Sequence, residues 1–301
     1  MPRYDLCLAW SWEYDADFVQ LLAKTCTGRG LTLFQVTPAN LIEVMLEISV
    51  GEISFACFLD RASDSNPAFQ SLADSVRRRN IHRINPQELC RWADDKATMH
   101  LEFISRGLHT PYTIILPPYS EQPVLPTLDL SPLGVRFVVK PAHGGGGAGV
   151  VTDATSMNDA LSTRTELPDK KYLLQQYIPP RLIEGRQAWF RVIYCAGEIF
   201  PCWWDTRTHI YTRVTEEQEI QFGLSPLREM TGRIAKICAL DLFSTEIAST
   251  PDGHWLTIDY VNDSIDLRVQ SNASDGVPDE IIVAIVTLLT EIVLQHRPTP
   301  F

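Results

Sequence analysis

The chain has 301 residues, of which 45% are hydrophobic and 21% charged. That is enough for two or three packed units and too apolar for a disordered segment. Against 37 Asp and Glu stand 26 Lys and Arg, a formal net charge of −11, which argues against nucleic acid or an anionic membrane surface as a partner, since both demand a positive footprint.

Seven cysteines stand singly, without CxxC or Cys/His ligand spacing. Reduced thiols of a cytoplasmic protein are therefore expected, not a disulfide framework or a zinc site. The opening Met-Pro-Arg-Tyr-Asp lacks the apolar run of a signal peptide. The one basic cluster, Arg77-Arg78-Arg79, reads as a solvated helix end with cations near the C-terminal dipole.

In chain order, residues 4–10 read as a strand, followed by a helix over 15–25 with Phe18, Leu21, Leu22 and Thr25 at helical spacing. Residues 31–37 form a second strand, Pro38 starts a helix with Leu41, Val44, Met45 and Ile48 on one face, and 53–60 form a third strand. This alternation predicts right-handed crossovers and a small parallel sheet. Asp94-Asp95 caps a helix to about residue 106, with Gly107 at its C-terminal end. After a Pro-rich connection at 117–132 come strands at 136–140 and 148–152, and a helix at 156–164 opened by a Ser156/Asp159 capping box. Further strands are predicted at 171–177 and 188–194. Strands at 243–249 and 255–260 flank the turn Pro251-Asp252-Gly253, and the last helix covers 278–295. Its apolar run is too short and too interrupted to span a bilayer, so a buried helix is expected.

The densest local signal is Ala142-His143-Gly144-Gly145-Gly146-Gly147-Ala148-Gly149. Glycines let backbone amides approach phosphate oxygens without a Cβ in the way. Although GxGxxG is present, the loop leads into a β-rich run and not a helix, which removes the dinucleotide-binding reading. No Lys-Ser/Thr follows the last glycine, which removes the P-loop. A glycine loop joining two antiparallel strands is instead a flap able to close over a triphosphate. Lys140 ends the apolar strand Phe137-Val138-Val139 just before Pro141, where a rigid strand would aim it at whatever the flap covers.

With these residues in place the chain resembles the ATP-grasp superfamily over almost its whole length. Asp95-Lys96 with Leu101, Gly107 and Thr110-Pro111 looks like the family's first-lysine segment, and Phe137–Pro141 with the glycines looks like the second. Leu173-Leu174-Gln175-Gln176-Tyr177-Ile178-Pro179 is similar to the hinge that reads adenine, with Gln175 where the family often has Glu; Glu184 is the candidate ribose contact. The most specific match is Glu246, Asp259 and Asn262, two carboxylates and an amide oxygen on adjacent strands, a hard-oxygen set suited to Mg²⁺. Two residues separate Asp259 from Asn262 where the family usually has one. In a regular strand Asn262 would face away from Asp259, so a bulge or a strand end is required, with Asp263 as the alternative ligand.

The resemblance implies an α/β protein, α+β in its ATP-binding lobes. A parallel pre-ATP-grasp domain (1–93) precedes a central lobe with the flap (94–180) and a C-terminal lobe with the metal site (181–301). It further implies ATP and Mg²⁺ as cofactors, with two ions and Mn²⁺ as a substitute. Lys96, Lys140, His143, Gly144, Gly145, Gly146, Gly147, Gln175, Gln176, Tyr177, Ile178 and Glu184 would bind the nucleotide. Arg191, between apolar neighbours in Trp189–Tyr194, needs an anionic partner and would hold a phosphate or acyl phosphate, as in the RimK-like glutamate ligases. Arg268, assisted by Ser271, would clamp a substrate carboxylate. The implied partners are a small carboxylic acid and an amine. The implied reaction is carboxylate–amine ligation through an acyl phosphate, with an inositol phosphate kinase-like phosphoryl transfer as the alternative. A homodimer is left open.

Overall fold

The structure is a computed structural model describing residues 2–79 and 81–297. Its first unit runs β1 (Arg3–Trp10), α1 (Ala16–Gly28), β2 (Leu33–Val36), α2 (Leu41–Val50), β3 (Ser54–Arg61), α3 (Gln70–Arg77), β4 (His82–Ile84) and α4 (Gln87–Asp94). The strands form the expected parallel sheet in the order β2-β1-β3-β4. β1 is covered on both faces, so Leu6, Cys7, Leu8 and Ala9 are all fully buried and the strand is apolar without alternation. The helix expected from Pro38 starts only at Leu41. The Asn40 side chain accepts from the Thr37 backbone N–H at 2.8 Å, and this local bond holds residues 38–40 in a turn.

The second unit begins with α5 (Lys96–Ser105), whose cap Asp95 accepts from the backbone N–H of Ala97 at 3.0 Å. β5 (Thr113–Leu116), β6 (Phe137–Pro141), β7 (Val151–Ala154), α6 (Met157–Glu166) and β8 (Tyr172–Gln176) follow, with an antiparallel sheet in the order β5-β8-β6-β7. β7 starts three residues later than its sequence suggests. Gly147 and Gly149 have φ of +74° and +72°, outside the β region, and lengthen the flap.

In the third unit a short hairpin, β9 (Leu182–Ile183) with β10 (Arg186–Gln187), precedes β11 (Trp189–Cys195), β12 (Glu198–Trp204), β13 (Tyr211–Arg213), α7 (Glu216–Phe222), α8 (Ser225–Cys238), β14 (Leu242–Ser249), β15 (Trp255–Asn262) and α9 (Asp279–His296). The antiparallel sheet order is β13-β12-β11-β14-β15. One face, with Phe190, Val192, Trp203, Phe243 and Ile247, shares a core with α4, α5 and α8. The other face has two halves. Ile193, Cys195, Cys202 and Leu242 continue into a core shared with β1, β3, α1 and α9. α9 thus returns from the end of the chain to cover the first sheet, and Arg29, which caps the C-terminal end of α1, reaches the Thr287 carbonyl at 3.4 Å.

Two buried polar side chains tie the first unit to the third. Arg61 pairs with Asp15 at 2.7 Å and donates to the Ile265 carbonyl at 2.9 Å. Asn85 accepts from the backbone N–H of Asp241 and Leu242 and donates to Asp263 Oδ1 at 2.6 Å. The seven cysteines are all free thiols. Among the described residues no helix is long and apolar enough to cross a membrane.

Candidate active site

The other half of the second face of the C-terminal sheet carries charge. Arg191 on β11 stands opposite Glu246 on β14, which stands opposite Asp259 on β15. Directly opposed residues project from the same face, so the three form one row. Arg191 Nη1 donates to Glu246 Oε1 at 3.1 Å and its Nε to Ser244 Oγ at 3.3 Å, while Trp189 Nε1 donates to Glu246 Oε2 at 2.9 Å. From the facing sheet, β6 delivers Lys140. Its Nζ donates to the Ile258 carbonyl at 2.9 Å and lies 3.7 Å from Asp259 Oδ1. Lys96, buried at the first turn of α5, donates to the Gly144 carbonyl at 2.8 Å and so tethers the flap. Residues 96, 140, 191, 246 and 259 therefore form one charged cluster.

The bulge that Asn262 requires is present. Ser244 pairs with Asn262 and Glu246 with Asp259, so the register shifts between the two pairs. β15 spends three residues where β14 spends two, which returns Asn262 to the face of Asp259. Asp263 points elsewhere, accepting from Asn85, and burial pushes its pKa up to about 6.

Three cations, Lys96, Lys140 and Arg191, surround two acids, leaving an excess positive charge in an otherwise acidic chain. Burial works to raise the Asp259 pKa, but Lys96, Lys140 and Arg191 outweigh it and hold the carboxyl below its ordinary value. Glu246 shifts the other way: burial, with Asp259 beside it, raises its pKa against the pull of Arg191. Burial also lowers the Lys140 pKa, with Lys96 adding to the effect against Asp259 and Glu246. Such a site favours an entering anion, because Coulomb attraction here is several times its value in water.

The hinge lies beside this cluster. Gln175 pairs with Val138 and Leu173 with Lys140, so Gln175 and Lys140 share a sheet face. Gln175 is buried and donates from Nε2 to the Tyr260 hydroxyl at 3.0 Å. Gln176 donates its backbone N–H to the Tyr112 carbonyl, and Tyr177 lies beneath the Arg136 guanidinium at 3.8 Å. Ile178 joins Ala248 and Ile258 in a small apolar cluster with Trp189 and Leu256. This gives an apolar wall next to Lys140, whose Nζ rests on the Ile258 carbonyl.

Several predicted residues are placed differently. Glu184, with φ of +49°, is exposed at the tip of the β9–β10 hairpin, and its carboxylate meets Gln221. The insertion that carries it forms a separate hairpin. The guanidinium of Arg268 is held by Asp266 at 2.6 Å and Asp275 at 2.9 Å. These internal carboxylates occupy the fork that a substrate carboxylate would need. Ser271 donates its backbone N–H to Asp279 at the start of α9. The half-exposed His143 ring lies 3.6 Å from Asp94 and 3.7 Å from Asp95, and Gly144, Gly145, Gly146 and Gly147 are exposed. Sequence reasoning missed Trp189, Ser244, His100 and Tyr260. Period-two alternation alone puts Trp189 on the Arg191 face. The other three carry no local signal.

No protein-family model matches the sequence, and no curated protein does. Solved structures do match in fold. D-alanine–D-alanine ligase from Bacillus anthracis complexed with ATP superposes with a TM-score of 0.66 at 14% identity, over 99% of this chain and 100% of that one. The RimK domain protein ATP-grasp from Sphaerobacter thermophilus gives 0.63 at 19% identity, over 94% and 98%. The chain has the ATP-grasp fold. Macrocyclase MdnC from Microcystis aeruginosa, solved with its precursor peptide MdnA, is a third similar ATP-grasp structure, with a TM-score of 0.64 at 12% identity over 95% and 99%.

The charged cluster between the two sheets has a donor set that fits a hard divalent cation. Asp259 Oδ1 is buried and, among the described residues, has no hydrogen-bond donor. Asn262 shares its face, and Glu246 completes two carboxylates and an amide. Among the described residues no group of three or more His, Cys, Asp and Glu gathers as a metal site. A cation held by so few protein oxygens keeps positions for water and phosphate, as Mg²⁺ does.

Proposed function

We propose that this chain is an ATP-dependent ligase joining a small carboxylic acid to an amine, with release of ADP and phosphate. The observation that carries this reading is Lys140, delivered by one sheet to within 3.7 Å of Asp259 on the other. In this reading residues 1–93 are the pre-ATP-grasp domain, and the lobes 94–180 and 181–301 clamp the nucleotide. Lys140 and Lys96 neutralise phosphate charge, and the flap at Gly144–Gly147 excludes water. The Gln175–Ile178 hinge and the Ile178, Ala248 and Ile258 wall hold the base. Glu246, Asp259 and Asn262 hold Mg²⁺, two ions in this reading and replaceable by Mn²⁺; bound there, it supplies charge neutralisation and polarises the transferring phosphoryl group.

Carboxylates are poor electrophiles toward amines, and conversion to an acyl phosphate supplies the leaving group. The protein's part is to align reactants and stabilise shifting negative charge. Arg191, fixed by Glu246 and Ser244, is placed to carry that charge on the acyl phosphate. Arg268 is assigned to shaping the 266–275 loop. The free thiols, six of the seven buried, fit a cytoplasmic protein.

Screening acid and amine pairs for ADP and free phosphate, with hydroxylamine trapping activated acyl groups, tests the reading. Lys140→Ala and Glu246→Gln should each lose turnover by about a hundredfold or more. Full turnover in either rejects the site. A phosphorylated product without free phosphate assigns a kinase instead.

A further inference from the structure

Behind the hinge lies a buried polar chain that the ligase reading does not use. His100 Nδ1 on α5 is 2.7 Å from the Tyr260 hydroxyl, which receives Gln175 Nε2 at 3.0 Å. His100, Tyr260 and Gln175 are 4%, 0% and 2% exposed, so none of them trades these bonds freely for water. The Tyr260 ring is fixed edge-on against Phe103, with centroids 5.3 Å apart, and Lys140 Nζ lies 5.4 Å from the ring centre.

We infer that His100 and Tyr260 lock the amide orientation of Gln175 and thereby make this site select adenine over guanine. The inference rests on the nucleotide-binding reading above and makes His100 and Tyr260 positioning residues.

The argument is a count of protons. A neutral imidazole carries one N–H and a tyrosine one O–H. The Thr113 hydroxyl also lies beside the Tyr260 hydroxyl, but its proton is committed to the Pro111 carbonyl at 2.9 Å. With Gln175 Nε2 donating to the Tyr260 oxygen, the tyrosine proton goes to His100 Nδ1, the basic acceptor at 2.7 Å, and the imidazole proton sits on Nε2. Gln175 Oε1 is left as an acceptor, complementary to an exocyclic amino group such as that of adenine. Guanine offers a carbonyl oxygen at the equivalent edge position, so acceptor meets acceptor and both are buried without partners. The reversed chain, with His100 Nδ1–H donating to Tyr260 and Tyr260 donating to Oε1, would present the amide NH₂ and favour guanine. Protonating His100 would force that reversal. Burial, with Lys140 close by, opposes it, lowering the imidazole pKa to about 4. Gln, unlike Glu, has both orientations available, so its choice has to be imposed from behind.

The test is calorimetric affinity for the Mg²⁺ complexes of AMPPNP and GMPPNP, which needs no knowledge of the other substrates. The wild type should prefer AMPPNP by about a hundredfold or more. Tyr260→Phe frees the amide to rotate, and the preference should fall to about tenfold or less, mainly through tighter GMPPNP binding. His100→Phe removes the acceptor for the tyrosine proton and should shift the ratio in the same direction, which covers the case where Tyr260→Phe does not fold. Gln175→Glu, able only to accept, should keep or sharpen the preference. An unchanged ratio in the folded variants overturns the relay. A wild type that binds neither nucleotide overturns the nucleotide reading itself, and the relay with it.

Discussion

Asn262 stands directly opposite Ser244 because β15 carries one more residue than β14 between that pair and the pair of Asp259 with Glu246. The bulge turns an amide that the period-two rule would point away onto the face of the two carboxylates. Asn262→Ala should therefore weaken Mg²⁺-dependent nucleotide binding by about tenfold or more, on the scale of one lost bond to a charged group, with little change in melting temperature. Asp263→Ala should do the opposite, leaving binding intact and lowering stability by removing the partner of Asn85. Calorimetry and thermal melts separate the two, and equal effects on binding would reject the assignment of Asn262.

Arg191 and Glu246 are about 16% and 15% exposed as side chains and 3.1 Å apart. Removing one partner of such a pair strands a buried charge, which typically costs about 3–5 kcal/mol, whereas removing both is far less costly. Arg191→Met should be strongly destabilised, and Arg191→Met combined with Glu246→Gln should recover most of the loss. A double-mutant cycle in urea should give a coupling of about 2 kcal/mol or more; additive losses would contradict the pairing.

His100 is expected to make the fold sensitive to mild acid. Its folded pKa of about 4 lies below its ordinary value of 6.5, so the folded state binds the proton less readily than the unfolded chain. The sign follows: the stabilisation is fully present above pH 6.5 and is lost as pH falls toward 4. A difference of that size corresponds to about 3 kcal/mol. Asp263, pushed up to about 6, works in the opposite sense, and comparison with His100→Gln cancels it. Between pH 7.5 and 4.5 the wild type should lose about 2–3 kcal/mol more than the variant; parallel losses would remove His100 as the cause.

Gly276 sits where the 266–275 loop turns into α9. A Cβ there would meet the Arg268 carbonyl oxygen at 2.5 Å and the Ala273 carbonyl oxygen at 2.9 Å, and backbone atoms cannot step aside as a side chain can. Gly276→Ala should cost about 2 kcal/mol or more. Gly147→Ala, with open space but φ of +74°, should cost about 1 kcal/mol. A melt in which Gly276→Ala matches the wild type would show that the loop relaxes.

Local signals carried much of the chain. The β1–α1–β2–α2–β3 alternation, the Asp95 cap, the Ser156/Asp159 capping box and the hairpin around Pro251-Asp252-Gly253 all appear where turn chemistry and periodicity place them. α3, β4, α4, β5, β12, β13, α7 and α8 have no counterpart in the sequence reading. β4, β5 and β13 are too short to show a period, whereas α8 carries Leu227, Met230, Ile234 and Cys238 at helical spacing, a signal that periodicity alone could have found. The spacing of Glu184 and Arg268 did not give their partners, Gln221 for the one and Asp266 with Asp275 for the other, because a charged residue at a plausible spacing does not record which partner reaches it first.

What the sequence determined by itself was the set of elements and the chemical inventory: a lysine at a strand end before a glycine flap, and two acids on neighbouring strands. Those features depend on contacts within a few residues, so they are written as spacing. Only the tertiary structure decided that Lys140 meets Asp259 and bonds the Ile258 carbonyl, 118 positions along the chain, that α9 closes over the first sheet, and that Tyr260 sits between His100 and Gln175. Such contacts depend on how sheets stack and where a bulge falls, and packing between distant segments imprints no period on either one.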